Sequence, residues 1–153
     1  MSLKLELKLM ELKDLPQVLD IEKLSYTNPW SKASFMYEIT ENPLATYLVA
    51  REGDKVIGYG GIWIVLDEAH ITTLAVHPAY RRNGVGKSLL NALLDVAKNR
   101  KVRSIILEVR ASNFPAQNLY QKFGFKPIGI RKKYYSRPEE DAIVMSLELK
   151  EDY

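Results

Sequence analysis

The amino-acid sequence predicts an α/β fold, in which helices cover both faces of one mixed β-sheet. Apolar and polar residues alternate at the start of the chain, which predicts a half-buried strand. Apolar and β-branched residues then occur in short runs that are typical of strands. Residues 85–99 carry an apolar stripe with helical spacing. The resulting order, β-α-α-β-β-β-α-β-α-β-β, favours a sandwich of helices around one sheet.

The first half of the chain is predicted to contain one strand, two helices and then three strands. Asp14 can cap the first helix and Ser31 the second, because their side-chain oxygens can accept hydrogen bonds from the first free amides of a helix. Gly58, Gly60 and Gly61 fall inside a strand, where they indicate a bulge or a close backbone approach. The predicted elements are a strand at 3–9, helices at 15–26 and 32–41, and strands at 46–51, 56–66 and 70–76.

The second half alternates helices with strands and closes with two strands. Ser112 and Asn113 can cap a short helix, and Pro115 fits its first turn. Gly124 is placed to end that helix, since glycine readily adopts the left-handed conformation found there. The predicted elements are helices at 85–99 and 116–123, and strands at 103–110, 125–135 and 142–149.

Composition limits the classes of function. Hydrophobic residues make up 46% of the chain and charged residues 27%, as in ordinary globular proteins, and 153 residues without repeats or linkers predict one domain over 1–153. The absence of cysteine excludes disulfides, thiolate metal sites and a cysteine nucleophile, and no metal site is predicted. Because there is no apolar run of about 18 residues and no signal-peptide core, we expect no membrane contact and a cytoplasmic location. A net charge of +3 fits a polyanionic small molecule and fits weak RNA contact as well.

A basic, glycine-containing turn precedes the longest predicted helix. Arg81, Arg82 and Lys87 bring positive charge to the turn, and Gly84 and Gly86 allow positive φ angles and a close approach of backbone or ligand. The helix amino terminus adds unpaired amides and the positive end of a dipole. Together these features favour a site for phosphate or pyrophosphate. The alternative is an ordinary strand-to-helix turn with solvated basic residues, and the spacing fits neither the dinucleotide pattern nor a P-loop.

This turn resembles the Arg/Gln-x-x-Gly-x-Gly/Ala acetyl-CoA signature of the GCN-five-related N-acetyltransferases (the GNAT family), on the residues Arg82-Asn83-Gly84-Val85-Gly86-Lys87. The predicted element order is similar to that of this family over nearly the whole chain, which implies a mostly antiparallel mixed sheet. Further segments resemble the RimI-type branch, which acetylates protein N-termini, typically the N-terminal alanine of a small-subunit ribosomal protein. These segments are Asn28-Pro29-Trp30-Ser31, Val65-Leu66-Asp67-Glu68-Ala69, Leu107-Glu108-Val109-Arg110-Ala111-Ser112-Asn113, Leu119-Tyr120-Gln121-Lys122-Phe123-Gly124-Phe125, Arg131-Lys132-Lys133-Tyr134-Tyr135 and Glu140-Asp141-Ala142-Ile143-Val144-Met145.

The resemblance implies that acetyl-CoA is the acetyl donor and that transfer to the acceptor is direct, since the chain has no cysteine to form an acyl-enzyme. It also implies a bulge near 74–76, whose amides meet the pantetheine arm and the thioester. No side chain near 74–77 can supply the donor for the developing oxyanion, so a backbone amide is expected there. The residues that the resemblance places at the cofactor are Leu74, Ala75, Val76, Arg81, Arg82, Asn83, Gly84, Val85, Gly86, Lys87, Asn113 and Tyr120.

A base is needed because only a neutral amine attacks the thioester. Glu108 lies in an otherwise apolar strand, where burial is expected to raise its pKa toward a useful value. The resemblance places the proton acceptor at Glu108. His70 is the rival base, and the other reading of Glu108 is a solvated glutamate or one that pairs with Arg110.

An acid can protonate the departing thiolate, and a tyrosine with a pKa of about 10 is matched to that task. The resemblance places this proton donor at Tyr120. The alternative is a core tyrosine that packs against Phe123 one helical turn later. Asn113 either only caps its helix or also binds the cofactor, and the resemblance implies the second role.

The predicted acceptor is a protein N-terminal amine. An α-amine has a pKa of about 7.7–8.0 and lysine one of about 10.4, so a carboxylate base suits an N-terminal amine better. Trp30, Tyr134 and Tyr135 can flank a peptide groove or can serve only in packing, and Glu41 and Asp67 can meet a basic peptide or stay solvated. The alternatives are transfer to a lysine, polyamine or other small amine, or a non-catalytic module that binds CoA or contacts RNA. Direct nucleic-acid binding is not expected, and the sequence indicates no oligomeric state.

Overall fold

The computed structural model describes residues 4–149 and contains the predicted elements in the predicted order. The bounds of the long helix are confirmed, whereas the first strand, predicted from residue 3, begins at Glu6, and residue 3 lies outside the described residues. Two short 3₁₀ turns, at Leu12–Asp14 and Pro78–Tyr80, were not predicted. The elements are β1 (Glu6–Leu9), α1 (Leu15–Ser25), α2 (Lys32–Thr40), β2 (Ala45–Glu52), β3 (Lys55–Val65), β4 (Glu68–Val76), α3 (Val85–Asn99), β5 (Ser104–Arg110), α4 (Phe114–Lys122), β6 (Lys126–Tyr135) and β7 (Glu140–Glu148).

The strands within residues 4–149 form one seven-stranded sheet in the order β1-β2-β3-β4-β5-β7-β6. β4 and β5 pair in parallel, from Glu68 opposite Ser104 to His70 opposite Ile106. Such a pair needs a long crossover, and α3 lies in it. The pairs β1–β2, β2–β3, β5–β7 and β6–β7 are antiparallel. The structure therefore confirms an α/β fold with a mixed, mostly antiparallel sheet.

The described chain divides into two compact units, one formed by residues up to Trp63 with Ile71–Val96 and the other by Ile64–His70 with residues from Ala97 onward. The first unit has a continuous apolar core under α1 and α2, because the apolar faces of both helices turn toward β2 and β3. The buried members of this core are Met10, Leu15, Val18, Ile21, Phe35, Tyr47, Val49, Val56, Tyr59 and Ala75.

Close packing explains the glycines of β3, against α3 and the end of β4 at Gly58 and against the Tyr47 ring at Gly61. A Cβ atom at Gly58 would lie 3.0 Å from the carbonyl oxygen of Ala75 and 3.0 Å from Leu89 Cδ1. The pairing of β2 with β3 also shifts register beside this glycine, which leaves Ile57 without an opposite residue. A bulge and a close approach, the two explanations that the sequence suggested, therefore occur together.

In the second unit, β5 alternates between a buried and a half-exposed face. Ile105, Leu107 and Val109 are buried, and Glu108 lies between them on the half-exposed face. This alternation follows from the two-residue period of a strand. It places the carboxylate of Glu108 at a boundary between the core and the solvent.

Two of the three predicted helix caps are confirmed. The Ser31 hydroxyl accepts a hydrogen bond from the Ser34 amide at 3.1 Å, and Asn113 Oδ1 accepts one from the Ala116 amide at 3.2 Å. The cap predicted at Asp14 is wrong, because its carboxylate accepts hydrogen bonds from the Glu11 amide and the Arg51 guanidinium instead. The backbone of Asp14 is already helical, whereas a capping residue is extended.

Candidate active site

The turn between β4 and α3 has the geometry of an anion site. Gly84 has a φ of +76° and nothing within 4 Å of a Cβ built on it, so its backbone conformation, and not crowding, favours glycine. The Asn83 side-chain amide donates to the carbonyl oxygens of Tyr80 and Arg81 at 3.2 Å and 3.1 Å, which braces the turn from inside. Arg82 also has a positive φ, of 66°.

The start of α3 is open to an anion. The first turn of this 15-residue helix contains no acidic residue to offset its dipole. Arg81, Arg82 and Lys87 are exposed around it, whereas Val85 is buried and anchors the helix in the core. The residues predicted at 81–87 thus lie at the amino terminus of α3, the end of a helix that favours an anion.

A tyrosine that sequence reasoning missed contacts the end of β4. The Tyr26 hydroxyl donates to the carbonyl oxygen of Leu74 at 3.2 Å and lies 3.4 Å from Thr73 Oγ1. Leu74 is one of the predicted cofactor residues, so Tyr26 orients the backbone at that position. The sequence signal was weak, since Tyr26 only follows the last residue of α1.

Two buried carboxylates, one on α1 and one on α2, accept hydrogen bonds from aromatic residues of the first unit. Glu22 accepts hydrogen bonds from the Trp30 amide at 2.8 Å and from the Tyr59 hydroxyl, and burial raises its pKa against the lowering effect of these bonds. Glu38 accepts from Trp63 Nε1 at 2.5 Å and from the Tyr47 hydroxyl at 2.9 Å. Sequence reasoning identified neither residue, because acidic residues on helices are usually solvated.

Trp30 packs beside this core. Its ring centroid lies 5.3 Å from that of Phe35 and 6.4 Å from that of Tyr47, and the side chain is half-buried. The packing role that the sequence left open is therefore present. A contact between Trp30 and a peptide stays a prediction.

Glu108 forms a close pair with His70. Glu108 Oε2 lies 2.6 Å from His70 Nε2, and the two side chains are 7% and 31% exposed. The hydrogen bond from His70 is the main reason that the pKa of Glu108 is lowered; burial opposes it, and the charges of His70 and Arg131 add to the lowering. The expected rise in the Glu108 pKa is therefore wrong, because a hydrogen-bonded partner outweighs burial.

The structure also places Arg110, the partner that the alternative reading gave to Glu108, with other groups. Arg110 does not pair with Glu108; its guanidinium donates to Glu140 Oε1 at 3.2 Å and to the carbonyl oxygen of Pro138 at 3.1 Å. Glu140 Oε2 in turn accepts a hydrogen bond from the Ser112 amide at 2.6 Å. These bonds tie the connection between β6 and β7 to the end of β5.

The two tyrosines of the predicted acceptor groove lie in this region. Their ring centroids are 5.0 Å apart, and Arg110 stacks on Tyr135 at 4.4 Å. Burial is the main cause that raises the pKa of Tyr134, the negative charge of Glu108 adds to it, and Arg131 opposes it. The charge of Glu108 thus contributes to the raised pKa of Tyr134, whereas Tyr135 packs against Arg110.

Tyr120 occupies a buried position on α4. It is 8% exposed, and its ring centroid lies 5.8 Å from that of Phe125. The chain returns to this ring beyond the end of the helix, so Tyr120 has a packing role, and a contact with Phe123 stays a prediction. Gly124 makes this return possible with a φ of +98°.

Within residues 4–149, no group of three histidine, cysteine or acidic side chains is arranged to hold a metal ion. No helix in the same part of the chain is long and apolar enough to cross a membrane.

Comparison with known proteins supports one family. The model of the acetyltransferase (GNAT) family matches residues 15–125. A Bacillus subtilis protein with the provisional name [ribosomal protein bS18]-alanine N-acetyltransferase is 45% identical over 99% of this chain and 100% of its own length. The [ribosomal protein bS18]-alanine N-acetyltransferase of Escherichia coli is 39% identical over 90% of this chain and 93% of its own. A crystal structure of the ribosomal-protein-S18-alanine N-acetyltransferase from Escherichia coli superposes with a TM-score of 0.88 at 34% identity, covering 97% of this chain and 96% of that one.

Proposed function

The chain belongs to the acetyltransferase (GNAT) family, and we propose, from its similarity to relatives named for that reaction, that it acetylates the N-terminal alanine of ribosomal protein bS18. It is an acetyltransferase, and acetyl-CoA is its acetyl donor. The observation that carries the proposed acceptor is the 39% identity, over 90% of this chain, to a relative whose name states that acceptor.

The turn over 81–87 fits the donor. Acetyl-CoA supplies an acetyl group on a thioester, and its pyrophosphate is a strong anion. Gly84 and the exposed start of α3 offer free amides, and Arg81, Arg82 and Lys87 supply opposite charge. Leu74, Ala75 and Val76 are assigned to the pantetheine arm, and Asn113 to the cofactor end of α4. A bulge near 74–76 belongs to this proposal.

We assign the base to the Glu108–His70 pair and not to Glu108 alone. A carboxyl with a lowered pKa is a weak acceptor for the proton of an α-ammonium, whose pKa is about 7.7–8.0. His70 is more exposed than Glu108, at 31% against 7%, so it is the member of the pair that an acceptor can reach. In this scheme His70 takes the proton, and Glu108 orients the ring and stabilises the imidazolium.

We assign the acid to Tyr120, which would give a proton to the departing thiolate. Its burial at 8% exposure holds the ring in one orientation, which favours a defined proton path. Tyr134 and Tyr135 are assigned to the peptide groove, because the charge of Glu108 reaches Tyr134. Trp30 is assigned to the groove as well. Its side chain is half-buried, and its backbone amide donates a hydrogen bond to the Glu22 carboxylate.

The remaining parts of the proposal concern organisation and place. We propose that 1–153 acts as a single acetyltransferase domain, in the cytoplasm where ribosomal proteins are made. The family match across 15–125 spans parts of both compact units, which supports one functional domain. Its partners are acetyl-CoA and a protein N-terminus, with no membrane and no direct nucleic-acid contact.

The test is thiol release from acetyl-CoA with matched acceptors. A short peptide that begins Ala-Arg is compared with the same peptide carrying an N-formyl group, and with spermine and free lysine. We expect release only with the free N-terminal peptide, since an α-amine loses its proton more easily than lysine by roughly 2.5 pKa units, or about 3.4 kcal/mol. Equal release with the blocked peptide or with spermine would keep the donor and overturn the acceptor.

A further inference from the structure

Arg110, the last residue of β5, holds the connection between β6 and β7 (residues 136–139) at several points. Its guanidinium donates to the carbonyl oxygen of Pro138 at 3.1 Å and to that of Ser136 at 3.4 Å. It also stacks on the ring of Tyr135, with the guanidinium carbon 4.4 Å from the ring centre. One side chain therefore engages the last residue of β6 and two backbone carbonyls of the connection that follows.

Glu140, the first residue of β7, joins Arg110 to the start of α4. Its Oε1 atom accepts a hydrogen bond from Arg110 at 3.2 Å, and its Oε2 atom accepts one from the Ser112 amide at 2.6 Å. Hydrogen bonds from Ser112 are the main cause that lowers the pKa of Glu140, and Arg110 adds to the lowering. The residue after Ser112 is Asn113, which caps α4. The two oxygens of one carboxylate thus hold two different regions of the molecule.

We propose that Arg110 and Glu140 are positioning residues for the acceptor groove, and that Glu140 also supports the donor site. The proposal rests on the proposed function, which assigns Tyr135 to the peptide groove and Asn113 to acetyl-CoA. Neither Arg110 nor Glu140 is a catalytic residue in this scheme. Arg110 acts on the acceptor through Tyr135 and the connection. Glu140 acts on both substrates, because its second oxygen holds the start of α4.

The ring of Tyr135 links Arg110 to the surroundings of the proposed base. Its centroid lies 5.0 Å from that of Tyr134, and the two ring planes are nearly perpendicular, at 89°. Burial raises the pKa of Tyr134, and the charge of Glu108 adds to that rise. Loss of the stacked guanidinium would leave Tyr135 free to move, and the neighbouring ring of Tyr134 with it. Arg110 therefore acts on both tyrosines of the proposed groove.

The strands on either side of the connection are anchored without the Arg110 side chain. The Asp141 carboxylate accepts a hydrogen bond from the Lys133 amide at 2.9 Å, and the Asp141 carbonyl accepts one from the Ala111 amide at 3.0 Å. β7 also pairs with β5 along the whole of β5. Replacement of the Arg110 side chain is therefore expected to loosen the connection and to leave the sheet in place.

The expected size follows from the cost of ordering a loosened connection when the peptide binds. If that cost equals one hydrogen bond to a charged group, the KM for the peptide rises about tenfold. Because neither residue touches the reacting atoms in this scheme, kcat is expected to fall by no more than about threefold. Loss of the bond between Glu140 and the Ser112 amide is expected to weaken acetyl-CoA binding by about threefold, since Asn113 still caps α4.

The experiment compares wild type with R110M, E140A, the double variant and R100M, in which an exposed arginine at the end of α3 loses the same charge. Thiol release with the Ala-Arg peptide gives KM and kcat, and calorimetry gives the Kd for acetyl-CoA. We expect the peptide KM to rise about tenfold in R110M and E140A, and the Kd for acetyl-CoA to rise in E140A alone. The double variant should have a peptide KM close to that of the worse single variant, because the two residues act as a unit. R100M should match wild type.

Amide hydrogen exchange over 136–141 reports on the connection without any substrate, and it should be faster in R110M and E140A than in R100M. A merely structural role would raise the Kd for acetyl-CoA equally in R110M and E140A, or would lower kcat without a change in the peptide KM. Either result would overturn the proposal. If R110M does not fold, R110K takes its place, because lysine keeps the charge and one hydrogen bond, and its KM should lie between wild type and E140A. Failure of the proposed function is a separate outcome, because the wild type itself would then release no thiol with the Ala-Arg peptide.

Discussion

The pairing of Glu108 with His70 predicts that an exchange of the histidine is nearly as harmful as an exchange of the glutamate. His70→Gln keeps a side-chain amide that can donate to Glu108 Oε2, from which His70 Nε2 lies 2.6 Å away. It removes the only titratable ring of the pair. If Glu108 acts alone as the base, this change should lower kcat only slightly. If the pair acts together, it should lower kcat strongly.

The magnitude follows from what a positioned base contributes to a proton transfer, which is about 100-fold to 10,000-fold in rate. The lowered pKa of Glu108 makes its carboxylate alone a poorer proton acceptor. Because His70→Gln leaves that carboxylate in place, we expect kcat to fall by about 100-fold, the lower end of this range.

The assay is thiol release with the Ala-Arg peptide at saturating acetyl-CoA, for His70→Gln, Glu108→Gln and the double variant. Residues that act as a unit are not additive, so the double variant should be close to the worse single variant. Acetyl-CoA binding by calorimetry serves as the control for an intact donor site. Wild-type kcat in His70→Gln beside a large loss in Glu108→Gln would refute the pair and restore Glu108 as a lone base.

Three further predictions concern stability and the donor site. Gly61→Ala should destabilise the protein by about 1–3 kcal/mol in urea unfolding, because the new Cβ would overlap the ring of Tyr47 on the neighbouring strand. Gly129→Ala is the control: its Cβ would meet open space, so the stability should hardly change. Gly84→Ala should cost about 1–2 kcal/mol, since alanine is strained at a φ of +76°, and should weaken acetyl-CoA binding in a calorimetric titration. The pKa of Glu108 is lowered in the folded protein, so this carboxylate contributes stability above about pH 4.5 that is lost as the pH falls through its lower folded pKa. His70→Leu removes the hydrogen bond that is the main cause of this lowering, so acid unfolding should be less steep in that variant; an unchanged acid transition would contradict this.

Much of the fold was predictable because it depends on local patterns. The alternation in β5 and the helical stripe of α3 are periodicities that burial on one face requires, so the bounds of α3 and the buried face of β5 follow from the chain alone. The helix caps at Ser31 and Asn113 also depend only on residues close by in the chain. The cap predicted at Asp14 is absent because the distant Arg51 engages its carboxylate.

The conformation of the basic turn could also be predicted, whereas the electrostatics of Glu108 could not. The turn at Gly84 is encoded within a few residues, as positive φ, basic charge and a helix start follow one another directly. The pKa of Glu108 depends on His70, 38 positions away, and on Arg131 from an edge strand. Neither neighbour shares a local pattern with the glutamate.

The sequence by itself determined the class of fold, the basic glycine turn before α3 and the family, since each depends on short-range periodicity or on a contiguous motif. The tertiary structure alone decided which charged groups meet. Parallel pairing of β4 with β5 brings His70 level with Ile106, two residues before Glu108, and the antiparallel β7 and β6 bring Arg131 to the other oxygen of its carboxylate. Burial favours the neutral form of a carboxyl, but the hydrogen bond from His70 and the charge of Arg131 favour the charged form more strongly, and only their positions in space determine that balance.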